Sequence, residues 1–253
     1  MQIQTIQDVI NQLTEIEQQC TASKNKAGYF AALYKRMTVA VTENINANNF
    51  EDGPRMEKLD MIFAQRYLNA YAAYYSKAVC SSSWKEAFDS CAEDSLIVLQ
   101  HLLIGINTHI NLDLAIAAAE VAPGNSIHAL KTDFYRINNL ISSLVDDIQE
   151  CLCEVWFPMR FLMKVANGKQ LAVLNFSIDK ARDASWANAL LLTGINDEQK
   201  NVLINQIDAT VSLIGRKIQS PGALTELLLK TIRAAEYDDV ARTIKLIDTI
   251  VVN

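Results

Sequence analysis

Apolar residues return every three or four positions along most of this chain, the period of helices that bury one face. The spacing predicts a first helix over Thr5–Gln19, with Val9, Ile10, Leu13 and Ile16 on one side. A second covers Lys26–Asn46 through Phe30, Leu33, Tyr34, Met37 and Val41. Asn46–Pro54 reads as a loop, and Pro54 suits the opening turn of a third helix, where its missing N–H costs nothing. That helix runs to Val79 and carries Met56, Leu59, Phe63, Tyr67, Tyr71 and Tyr74. Cys80–Ser83 ends it, and Trp84–Phe88 begins a short turn or helix. A central helix follows over Asp94–Val121 and closes at Pro123–Ser126. The next helix extends to Glu154, and Pro158 interrupts the run beyond it. Further helical segments cover Met159–Lys164, Asn175–Leu192, Asp197–Gln219, Ala223–Ala235 and Asp238–Val251. Leu171–Leu174 is the one run with any strand character. The expected fold class is all-α: an irregular multi-helix bundle around a buried central helix. It forms a single domain over residues 1–253, whose helices from about residue 195 can pack as a subdomain.

The central helix breaks its own pattern. Leu96–Ile104 and Leu112–Ala119 are apolar on nearly every side, as a helix surrounded by others must be. Between them lie Gly105, Asn107, Thr108, His109 and Asn111, poor helix formers that together forfeit about 3 kcal/mol of propensity. Buried polar groups also need partners, at about 1–3 kcal/mol for each one left unpaired. At about 100° per residue, His101, Gly105, His109 and Asp113 form one slowly drifting stripe, with Gly105 as a gap where a ligand or a neighbouring backbone can approach. His109 and Asp113 stand one turn apart, able to chelate a divalent metal or to form a hydrogen-bonded acid/base couple. Asn107 and Asn111 make a second pair on another face. A metal site, a non-metal ligand or catalytic site, and a structural polar network all remain open for this cluster.

Composition narrows the classes. The 253 residues include only 8 Gly and 4 Pro, too few for the tight turns of a many-stranded sheet. A net charge of −6 argues against nucleic acid, and Lys24, Lys26, Lys35 and Arg36, the nearest approach to a basic cluster, read as a solvated face. No signal-like N-terminus and no uninterrupted bilayer-length apolar run is found, so neither secretion nor a membrane is expected. Five cysteines (Cys20, Cys80, Cys91, Cys151, Cys153) form no disulfide or zinc framework and read as reduced thiols of a cytoplasmic protein. Glycine-rich nucleotide loops, the serine elbow, HExxH and the EF-hand are all missing from the sequence.

Asp60, at the margin of the third helix's apolar stripe, needs a partner, for which Arg55, Arg66 or a central-helix His qualifies. Tyr67, Tyr71, Tyr74 and Tyr75 suit core packing better than a ligand platform. Asp133, Arg136 and Asn138, Trp156, the Arg182–Trp186 segment and His128 are lesser candidates.

Arg55-Met-Glu-x-Leu-Asp60, Phe63-Ala-x-Arg-Tyr67 and Gln100-His-Leu-Leu-x-Gly-Ile-Asn-x-His-Ile-Asn-Leu-Asp-Leu114 together resemble an uncharacterised bacterial family, domain of unknown function 5995. The resemblance covers roughly residues 25–190 and is weaker after about Met159. It implies that these motifs belong to one shared site or core, and it carries no activity with it.

The expected function is that of a small-molecule-binding protein or an enzyme, with or without a divalent metal. His101, His109, Asp113 and Asp60 are the candidate catalytic groups, and Gly105, Asn107, Asn111, Arg55 and Tyr67 the candidate ligand contacts. His109 and Asp113 are the candidate metal ligands. The alternative is a helical structural or interaction protein whose polar cluster is a core hydrogen-bond network. No oligomer interface is legible.

Overall fold

The computed structural model describes residues 3–137, 178–234, 236 and 238–249. The expected segments Met159–Lys164 and Leu171–Leu174, and Cys151, Cys153 and Trp156, lie outside the described residues. Within them the chain is all-α, with no strand among the described residues.

Helix α1 (Ile6–Ser23) opens with a capping box in which the Thr5 hydroxyl and the Asp8 carboxylate exchange bonds with each other's backbone N–H. Helix α2 (Ala27–Asn46) packs against it. Helix α3 (Gly53–Tyr75) is capped by the Asp52 carboxylate on the Arg55 N–H and carries Pro54 in its first turn. It stops four residues short of the expected Val79, because the Ala78 N–H bonds back to the Ala73 carbonyl and Lys77 turns left-handed at φ 62°. Helix α4 (Ser82–Ser90) is capped by Ser81 on the Trp84 N–H.

The central rod has three parts: α5 (Val98–Thr108), a π-helical turn (His109–Leu114) and α6 (Ala115–Val121). It begins at Val98 rather than at the expected Asp94. The Gln100 side chain takes the Ile97 N–H, while the distant Glu236 carboxylate takes the Val98 N–H. A helix over 127–137 (α7) follows. Then come α8 (Ile178–Thr193), α9 (Asp197–Gln219), α10 (Ala223–Arg233) and α11 (Val240–Asp248).

Helices α2, α3, α4, α8 and α9 surround the rod, and α11 closes over α1 and α2. By length and apolar character Val98–Val121 could cross a bilayer, but 94% of its apolar window is buried inside the protein, the condition of a core helix. Most buried apolar side chains form one cluster that runs from Val9 to Ile247. A smaller cluster joins Leu112, Ala115 and Ile116 of the rod to Leu192, Ile207 and Val211.

Two buried carboxylates hold loops in place. Asp133 of α7 accepts the Glu51 and Asp52 N–H groups at 2.8 and 3.0 Å and pairs with Arg136 and Arg55. Asp208 of α9 accepts the Ser82 and Ser83 N–H groups at 2.7 and 2.9 Å, where α4 begins. Both sit where unpaired amide groups make a helix start favourable to negative charge.

Candidate functional site

The backbone departs from the α form at the end of the stretch of costly residues: Gly105, Asn107 and Thr108 still belong to regular α5, and His109 and Asn111 fall in the departure. Over His109–Leu114 the hydrogen bonds lengthen by one residue into a π turn, a departure that often accompanies functional sites. Within that turn Asp113 is the junction. Its side chain is 2% exposed, and its two oxygens hold three groups. One accepts the Arg66 Nε–H at 3.0 Å, and the other accepts the Trp84 Nε1–H at 2.8 Å and faces His109 Nδ1 at 3.1 Å. Buried carboxylates survive when fully hydrogen-bonded in this way.

His109 lies inward of Asp113 in an aromatic box. Its ring stacks on Phe63, with centroids 3.5 Å apart, and meets Tyr34 edge-on at 4.4 Å and Phe30 at 5.7 Å. Burial pushes its pKa below the usual value, against the opposing pull of Asp113, so the ring is neutral. With Nδ1 donating to Asp113, Nε2 presents a lone pair, and that atom has no hydrogen-bond partner among the described residues. The Tyr34 and Tyr67 hydroxyls and Asp60 Oδ2 are likewise buried and unpartnered. Tyr34 feels the charges of both Asp60 and Asp113, after the larger effect of burial. Burial, reinforced by Glu57, raises the Asp60 carboxyl to about 7.

On its other side Asp113 faces a groove of about 300 Å³, lined by Arg66, Asn69, Ala70, Ala73, Val79, Cys80, Ser81 and Trp84. Arg66 is 30% exposed there. Asp113 therefore connects a solvent-facing groove to a sealed imidazole, and Arg66 and Trp84 shape both.

The structure redistributes the other expected residues. His101 does not join His109; it lines a separate cavity with Lys26 and Glu236, two turns up the rod. Gly105 is not an open gap, because a Cβ there would lie 2.5 Å from the Phe30 ring, which fills the notch and leaves no room for a ligand. Asn107 and Asn111 bond to each other, and Asn107 also donates to the Val211 carbonyl at 2.9 Å, so the pair fastens α9 to the rod. Arg55 serves the Asp133 loop anchor and the Ala129 carbonyl instead of Asp60. Arg66, the other proposed partner of Asp60, is taken by Asp113. Tyr67 does reach the box, between Phe30, Tyr34, Trp84 and His109. His109 and Asp113, the candidate metal pair, do stand side by side. The Asp113 oxygens are already engaged, and no group of three or more His, Cys, Asp or Glu able to hold a metal occurs among the described residues.

Trp84, the indole donor, was not legible as a site residue in the sequence. Its only mark was position: the first bulky residue after Cys80–Ser83, at the start of a short helix. Arg66 was legible, since it falls inside the Phe63–Tyr67 motif.

No curated protein and no solved structure matches the chain. A family model matches residues 6–221, wider than the roughly 25–190 that the motifs suggested and ending just before α10. The chain therefore belongs to the family that this model describes, a family of unknown function (DUF5995).

Proposed function

We propose that the protein binds a small molecule in the groove between α3 and α4, with Arg66 and Trp84 as its contacts and Asp113 as its floor. The observation that carries this reading is the Asp113 junction, a buried carboxylate that holds an arginine, an indole and an imidazole at the base of a concave surface. A guanidinium whose Nε is fixed by a carboxylate keeps its outer N–H groups oriented for a planar acceptor. The carboxylate–imidazole couple resembles one that orients a general base, but its imidazole lies behind the Asp113 floor and outside the groove lining, so the role proposed for the groove is binding.

A thermal-shift screen of the full chain against small carboxylates, amides and heterocycles tests the binding reading. Ligands of the groove raise the melting temperature of the parent and lose most of that effect in Arg66→Gln. If no compound stabilises the parent, or every hit acts equally on both chains, the proposal fails.

A second reading has its own support. The His109 ring, 3% exposed and stacked on Phe63, is sealed from the groove, which favours a polar network that fixes the register of the rod. Under that reading His109→Gln lowers the melting temperature and no small molecule responds to Arg66.

A further inference from the structure

His101 is the second buried histidine of the rod, and the Asp113 junction does not use it. It is 6% exposed, both ring nitrogens lack hydrogen-bond partners among the described residues, and it lines a cavity of about 250 Å³. Burial, with Lys26 and Arg233 nearby, pushes its pKa down to about 3, so the ring is neutral and offers one donor and one acceptor. Tyr29 forms the wall beside it, with ring centroids 5.9 Å apart.

The charges around this cavity are unevenly placed. The Lys26 side chain is 12% exposed and that of Arg233 21%, yet their carboxylate partners Asp94 and Asp238 are 91% and 82% exposed. Ion pairs with one member so open to water hold little energy, and such carboxylates are readily displaced. The inward carboxyl, Glu236, is occupied by the Val98 N–H at the start of α5. Lys26 Nζ also donates to the Glu93 carbonyl at 3.0 Å and Arg233 Nε to the Asp94 carbonyl at 2.7 Å, which fix the two cations in place while their remaining N–H groups stay available. Two sheltered cations and an unsatisfied neutral imidazole therefore face one small space, with Glu236 as its one inward carboxyl.

We infer that this cavity is a second ligand site, independent of the Asp113 groove. It takes a small organic anion that carries a hydroxyl beside its charged group. The anionic oxygens displace Asp94 and Asp238 from Lys26 and Arg233, and the hydroxyl pairs with His101. The volume limits the ligand to something smaller than a drug-sized molecule. One wall (Lys26, Tyr29, His101) lies inside the family match, whereas Arg233 and Glu236 come from the segment beyond residue 221.

The chain holds only three histidines, so long-range ¹H–¹⁵N spectra of the full protein separate the His101 ring from His109 and His128, with His101→Phe as the assignment control. Malate and glycerol 3-phosphate supply the carboxylate and phosphate arms, and glycerol and ethanolamine the neutral and cationic ones. The expected result is a saturable shift of the His101 nitrogens with at least one anion, no change at His109, and an apparent Kd at least about tenfold weaker in Lys26→Gln and Arg233→Gln. Absence of a shift with both anions overturns the assignment, and so does an equal response to glycerol or ethanolamine. A shift that survives both cation substitutions overturns it as well.

Discussion

Asp113 spends its two oxygens on three donors, so each donor's loss has a defined cost. Trp84→Phe keeps the ring packed on Phe88 but removes the indole N–H, and hydrogen bonds to charged groups contribute about 1.5–3 kcal/mol. A fall in melting temperature of about 2–4 °C per kcal/mol is expected in a calorimetric scan. Asp60 behaves oppositely. Its carboxyl titrates at about 7 when folded and near 3.8 when unfolded, so between those values the folded chain binds the extra proton. Stability from this group therefore declines as pH rises from about 4 to about 7. Asp60→Asn should stabilise the protein at about pH 8 and leave it nearly unchanged at about pH 4; equal effects in urea melts at the two pH values would contradict the burial assigned to it. The sequence marked both aspartates, because each interrupts an apolar stripe. It could not choose their partners: Arg55 and Arg66 are equally plausible neighbours of Asp60 on one helix, and only the packed α7 and rod draw them to Asp133 and Asp113.

Whole helices were more legible than their irregularities. The apolar period located α2 and α9 to within a residue, since their buried faces repeat without interruption. The π turn was invisible as such, because a hydrogen-bond register that slips by one residue leaves the neighbouring apolar runs intact. The concentration of Gly105, Asn107, Thr108 and Asn111 marks its approach, but of these only Asn111 lies within it. Gly105 shows how a correct observation led to a wrong occupant: the gap exists, and the Phe30 side chain of α2 fills it. Gly105→Ala should gain helix propensity of about 1 kcal/mol. Overpacking of a ring already wedged among Tyr34, Tyr67 and Trp84 costs about 1–3 kcal/mol and wins. The net loss should be recovered when Phe30→Leu is added to the same chain, and a double-mutant cycle without that coupling would show that the two sites do not meet.

The family match ends at residue 221, but the core continues past it. Leu229, Ile232, Ile244 and Ile247 are all at most 4% exposed and belong to the main cluster, and Ile244 sits against Gly28. Each contributes about 1.5–3 kcal/mol of burial, so their joint loss rivals the roughly 5–15 kcal/mol that holds a domain folded. A chain cut after residue 221 should lose its sharp urea transition; a cooperative melt within a few degrees of the parent would show that the last helices are dispensable. The sequence offered these helices as a candidate subdomain because nothing in their periodicity says which face they bury or against what. The two carboxylate anchors also have a meaning in time. Asp133 and Asp208 follow the helix starts they hold by 82 and 126 positions at the farthest. On a chain emerging residue by residue from its N-terminus, the Ser82 and Ser83 N–H groups have only the Ser81 cap beside them until residue 208 is added, so the start of α4 gains its carboxylate anchor only from the second half of the chain.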